Sequence, residues 1–190
     1  MSNDVRQANV AEQPRILCVC THNRTRSVLF AALLRHYTAH STLPPIIVDV
    51  GVEASGLPIT DGVGDALADY GIFVYSHLSH QVTDRIASEA HLVLTAERSQ
   101  VVNISTRARN LFARSFTLPE FIDRAVTAGP RGGRSIQDWV AAVDDGRRAA
   151  EYVQRPVRMI ADPTGMGIDA LRVCVAEIDD LCRRFGELWG

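Results

Sequence analysis

Lysine is missing from this chain of 190 residues. All 20 of its basic residues are arginine, which reads as coding bias rather than as a functional preference. Any large excess of one charge is missing too. At a formal net charge of -2 nothing suggests a polyanion-binding surface, so nucleic acid is not an expected partner. No run approaches the ~20 apolar residues that span a bilayer. The first 14 residues are polar, lack the apolar core of a signal peptide and read as a flexible tail, so no membrane partner is expected. Cysteines are few: Cys18, Cys20, Cys174 and Cys182. Their spacing matches neither a Cys-x-x-Cys redox pair nor a paired zinc-knuckle pattern, and reduced thiols in a cytoplasmic protein are the expectation. No internal repeat is visible. What remains is ordinary globular chemistry, 46% hydrophobic and 22% charged, enough for one domain over residues 15–190.

Along that domain, short apolar runs alternate with helical patterns. Residues 15–20 (Arg-Ile-Leu-Cys-Val-Cys) are rich in β-forming side chains and end at a polar loop, as a buried parallel strand would. From Arg26, residues Val28, Leu29, Ala32, Leu33 and Tyr37 fall close to helical spacing. Further strands are expected at 46–52, 91–95 and 114–118, with helices at 63–70, 84–90 and from 96 onward. Residues 168–185 carry Ile168, Leu171, Val175, Ile178, Leu181 and Phe185 at three- and four-residue steps, the pattern of an amphipathic helix on a sheet. Cys174 and Cys182 lie on or near its apolar face and read as core thiols. This alternation predicts an α/β fold, a doubly wound parallel sheet of about four strands with helices on both faces. Ligands of such sheets sit beyond the carboxyl ends of the strands, so the loop after the first strand is the first place to look. Residues 119–156 are less regular and read as an insertion. Within it the stretch 128–135 (Ala-Gly-Pro-Arg-Gly-Gly-Arg-Ser) reads as a solvated linker, an anion cradle being the alternative.

The loop itself is Cys20-Thr21-His22-Asn23-Arg24-Thr25-Arg26-Ser27. A loop that curls back at a helix N-terminus turns successive backbone N–H groups into one concavity, a nest for a tetrahedral oxyanion. The thiolate is the form that attacks phosphorus, and cysteines beside a helix N-terminus and an arginine are the ones that hold it. Arg26 can bring a planar guanidinium over the same concavity and form paired hydrogen bonds to two phosphate oxygens, which lysine cannot. Ser27 can donate to the thiolate, cap the helix, or do both. Asn23 tolerates the left-handed backbone that a tight anion loop often needs.

On these residues the loop resembles the signature of low-molecular-weight protein tyrosine phosphatases. Tyr70-Gly71-Ile72, Ser76-His77 and Asp84 resemble that family's middle section, and Ala161-Asp162-Pro163-Thr164-Gly165 resembles its Asp-Pro loop. The resemblance implies a flavodoxin-like fold and hydrolysis of a phosphomonoester through a cysteinyl-phosphate. It implies Cys20 as nucleophile, Arg26 as phosphate clamp and Asp162 as general acid and base, with residues 21–27 binding phosphate. Asn23, Ser27 and His77 would support the loop from behind, His77 by bonding Asn23 unless it is an ordinary half-buried histidine. No metal or organic cofactor is implied. The expected partners are a phosphotyrosine protein or a small phosphomonoester, with inorganic phosphate as product.

The sequence departs from the family pattern at His22, Thr25 and Val28, where glycine, a second cysteine and proline are usual. Thr25 removes the partner that could shelter Cys20 as a reversible disulfide. Thr164 and Gly165 stand where aromatic residues usually wall the phosphotyrosine ring, and Arg24 within the loop favours a substrate with extra negative charge. A histidine at position 22 also resembles the arsenate reductases built on the same scaffold, the alternative reading; a non-catalytic phosphoanion-binding module is the third.

Overall fold

The computed structural model of the protein describes residues 13–190, so the tail expected at 1–14 lies, up to residue 12, outside the described residues. Four strands, β1 (Arg15–Cys20), β2 (Ile46–Gly51), β3 (Leu92–Thr95) and β4 (Ser115–Thr117), form a sheet of order β2-β1-β3-β4 in which every pairing is parallel. All four therefore end on the same side of the sheet. The helices are α1 (Arg26–Thr38), α2 (Val63–Ala68), α3 (Asp84–Glu89), α4 (Arg98–Ser105), α5 (Leu118–Ala128), α6 (Ile136–Asp144), the single turn α7 (Ala149–Tyr152) and α8 (Ile168–Trp189). This is the α/β, flavodoxin-like architecture expected from the alternation.

The pleat divides the core in two, because successive strand side chains point to opposite faces. Ile16, Cys18 and Cys20 of β1 join Leu92 and Leu94 of β3 in the larger core, under α1, α5, α6 and α8. Leu17, Val19 and Val93 point the other way and pack with Ala87 of α3 and Ile104 of α4. Helix α1 is buried from Arg26 to Leu34 because it lies between the sheet and α8. Gly186 permits that contact: a Cβ there would meet the Tyr37 carbonyl oxygen at 2.8 Å.

Residues 119–156 contribute to the larger core. Helix α5 starts from a reciprocal capping box between Thr117 and Glu120 and buries Phe121, Ile122 and Ala125. The rings of Phe121, Trp139, Phe185 and Trp189 pack edge to face or stacked, with neighbouring centroids 5.2–5.9 Å apart. The stretch 128–135 is neither a solvated linker nor an anion cradle, since both of its arginines are spent internally. Arg131 is buried over the Trp189 ring and donates from its backbone to the Leu188 carbonyl, 2.8 Å away. The Arg134 guanidinium donates to the carbonyl of Gly129 at 2.8 Å, which also accepts from Trp139 Nε1 at 3.0 Å. Glycine-rich composition hid this order because the partners are backbone carbonyls.

If the 119–156 segment is integral to the core, Trp139→Ala should cost about 3–5 kcal/mol of unfolding free energy. Urea denaturation measures this, and a loss below about 1 kcal/mol would mean that the segment folds apart from the sheet.

Candidate active site

Cys20 is the last residue of β1, and the chain turns at once through residues 21–25 into α1. Asn23 makes the turn possible, with φ of +53° in the left-handed region. Its backbone N–H donates to Cys20 Sγ at 3.2 Å. Its side chain is fully buried and saturated. Oδ1 accepts from the His80 backbone N–H at 2.8 Å, which fixes the amide's orientation, and Nδ2 donates to Asp49 Oδ2 at 2.8 Å and to Ser27 Oγ at 3.0 Å. Because Ser27 Oγ accepts from Asn23, its own hydrogen is free to point at Cys20 Sγ, 3.1 Å away. Ser27 therefore serves the sulfur and does not cap the helix. The N-cap position is Thr25, whose hydroxyl instead lies 2.7 Å from that of Thr60.

His77 also bonds the loop: its Nε2 lies 2.8 Å from the Asn23 carbonyl oxygen, while Nδ1 faces Asp49 Oδ2 at 3.7 Å. His22 is exposed, its Nδ1 3.3 Å from the Glu53 carbonyl. Thr21 Oγ1 accepts from Gln100 Nε2 at 3.2 Å, tying the loop to the start of α4. Two supporting residues, Asp49 and Gly51, escaped the sequence reading. Their signals were a carboxylate inside an apolar strand and a glycine at a strand end, a mark of close backbone approach. A Cβ on Gly51 would lie 2.7 Å from the Thr21 oxygen and 2.9 Å from Asn23 N.

Arg26 is 2% exposed, and its guanidinium lies between two carboxylates. Nη1 donates to Glu97 and, at 3.0 Å, to the Ile160 carbonyl; Nη2 donates to Asp162 Oδ2 at 2.6 Å. The Nε–H and the second Nη2–H, adjacent on the same fork, have no partner among the described residues and can take two oxygens of one anion. Glu97 was the third residue missed. Its signal was an acid just past the end of a strand neighbouring the loop's own. Asp162 arrives from the far end of the chain because Ile160 N–H bonds the Ala96 carbonyl at 3.0 Å, laying the 160–165 loop beside the end of β3.

Cys20, His22, Arg24, Thr25, Arg26, Thr60, Asp162 and Thr164 thus line one small cavity at the carboxyl end of the sheet. Burial alone would raise the Asp162 pKa. Hydrogen bonding by Thr164 and the charges of Arg26 and His22 outweigh it and hold the carboxyl below its ordinary value. Burial pushes Cys174 up to about 12 and drives Cys18 and Cys182 well upward, so all three keep their protons. Among the described residues no group of three or more His, Cys, Asp or Glu side chains could hold a metal ion, and no helix is long and apolar enough to cross a membrane.

Gly51→Ala should displace residues 21–23 and weaken binding of phosphate or tungstate at least tenfold with the fold retained. Calorimetric titration beside a denaturation curve reads both. Unchanged affinity would mean that the loop does not depend on β2.

Residues 15–129 match the family model described as low molecular weight phosphotyrosine protein phosphatase. A probable low molecular weight protein-tyrosine-phosphatase EpsP of Ralstonia nicotianae is 33% identical over 94 residues, which are 48% of this chain and 61% of that relative. The YwlE arginine phosphatase of Geobacillus stearothermophilus superposes with a TM-score of 0.68 at 25% identity, over 92% of this chain and 91% of the other. The Erwinia amylovora tyrosine phosphatase AmsI shares the fold at a TM-score of 0.68 and 15% identity, over 96% and 97% of the two chains. By its loop, its topology and the match across residues 15–129, this chain belongs to the low molecular weight phosphotyrosine protein phosphatase family.

Proposed function

We propose that this protein is a phosphomonoester hydrolase, specifically a protein tyrosine phosphatase, that works through a cysteinyl-phosphate on Cys20. The observation that carries the reading is convergence: a sulfur held by two hydrogen bonds, the free fork of Arg26 and the Asp162 carboxyl share one cavity. The phosphoryl group sits in the nest of loop N–H groups, with two oxygens on Arg26 and phosphorus in front of Sγ. The thiolate attacks, the S–P bond forms and the ester P–O bond breaks, while Asp162 hands its proton to the leaving oxygen. In the second step the Asp162 carboxylate takes a proton from water, whose oxygen attacks phosphorus. The S–P bond breaks, and inorganic phosphate leaves.

Because Asp162 is ionised in the free protein, its catalytic proton has to arrive with the substrate. The monoanionic ester supplies it, and the second phosphate pKa lies near ~6. Once phosphate occupies the Arg26 fork, its negative charge also raises the Asp162 affinity for that proton.

The arsenate reductase reading requires a further thiol to resolve an oxidised Cys20, unless a thiol cofactor does so. Cys18, Cys174 and Cys182 are buried with their protonated forms stabilised, which supports hydrolysis over reduction. A binding module would need neither the sulfur's two donors nor the acid beside Arg26.

Asp162→Asn should slow hydrolysis of alkyl and unactivated aryl phosphates about 10²–10⁴-fold, and activated aryl phosphates much less, because a good leaving group departs without a proton. Rates across a series of substituted phenyl phosphates should be nearly flat for the wild type and steep for the variant; parallel slopes would remove Asp162 from the acid role. In the same assay kcat/KM should fall as pH rises above ~6, and a level profile from acid to alkaline pH would contradict proton delivery by the substrate.

A further inference from the structure

Two arginines line the cavity, and only one is neutralised. Arg26 is flanked by Glu97 and Asp162, so its charge is locally compensated by two carboxylates. Arg24, the residue after Asn23, stands at the part-exposed rim. Its Nε donates to the Pro58 carbonyl at 2.7 Å, which fixes the guanidinium plane. Its terminal amino groups have neither an ion pair nor a hydrogen bond among the described residues. The site thus presents a pre-oriented, uncompensated fork beside its mouth, and such a fork loses less freedom on binding than a loose side chain would.

The bound phosphoryl group has other partners, the loop N–H groups and the deeply buried Arg26, so the rim arginine is left for a second anion. The chain on which Arg24 rests also carries an acid, since Thr60 N–H donates to the Arg24 carbonyl at 2.9 Å and Asp61 follows it. A neighbouring cavity of about 320 Å³ shares Thr25, Thr60 and Thr164 with the first and is lined by Asp61, for which no ion pair is formed among the described residues. No Phe, Tyr or Trp side chain lines either cavity. Charge rather than ring stacking is therefore what this mouth offers for discrimination.

We propose that Arg24 makes the site selective for phosphorylated segments that carry a carboxylate side chain on the residue next to the phosphorylated one. The proposal rests on the reading of the cavity as a phosphomonoester site and deepens it by naming the substrate class. The carboxylate takes the Arg24 fork while the phosphoryl group takes the nest.

The test uses two phosphotyrosine peptides that differ by Asp or Asn next to the phosphotyrosine, titrated calorimetrically into the Cys20→Ser protein at low ionic strength. The Asp peptide should bind about tenfold more tightly, and the preference should shrink as salt is raised. Adding Arg24→Gln should bring the ratio of the two affinities to about one, whereas Arg24→Lys should keep part of it. Equal affinities, or a preference that survives Arg24→Gln, would overturn the proposal, as would failure of both peptides to bind. Turnover of para-nitrophenyl phosphate by the wild type, measured alongside, keeps the two readings apart. Turnover without an acidic preference overturns the selectivity alone; the preference without turnover overturns the hydrolase reading and upholds the selectivity.

Discussion

One buried amide holds the site together. The Asn23 side chain spends both N–H hydrogens and its oxygen on groups from β2, α1 and the 77–80 segment, while its backbone N–H points at Cys20 Sγ. A left-handed turn in a non-glycine residue is strained, and it persists only where its surroundings over-determine it. Here the surroundings are the hydrogen bonds themselves. Removing the amide would take a hydrogen-bond partner from the half-buried Asp49 and from the His80 backbone N–H, and a lost hydrogen bond typically costs about 0.5–1.5 kcal/mol. The position of the sulfur, the aim of Ser27 and the curvature of the loop all follow from this one saturated group.

The second constraint is electrostatic. Arg26 lies between Glu97 and Asp162, so its plane is fixed before any ligand arrives and one edge of its fork stays open. Hydrogen bonding by Thr164, with the charge of Arg26 beside it, depresses the Asp162 pKa, so a group cast as an acid rests as a carboxylate. On the proposed mechanism, substrate and proton enter together. Anion binding and proton delivery are then one event, governed by the charge of the ester.

Much of this was legible in the sequence because it is local. The strand, loop and helix from Arg15 to Thr38 can be read from an apolar run, a cluster of polar residues and helical spacing, and the structure places them at 15–20 and 26–38. The roles open for Ser27 and His77 were separated only by hydrogen bonds that sequence spacing does not encode. Asp49, Gly51 and Glu97 went unnoticed because they act from β2 and from the end of β3, through register and close approach rather than through any pattern of their own. The stretch 128–135 misled for a different reason. Glycine and arginine suggest solvent, yet here they cap carbonyls and cover Trp189.

Everything in the account turns on a covalent bond between phosphorus and Cys20. Acid-quenching the Asp162→Asn protein during turnover of an activated aryl phosphate, followed by peptide mapping by mass spectrometry under conditions that preserve S–P bonds, should find one added phosphoryl group, on Cys20. A label on any other residue, or rapid turnover with Cys20 unmodified at every quench time, would contradict it.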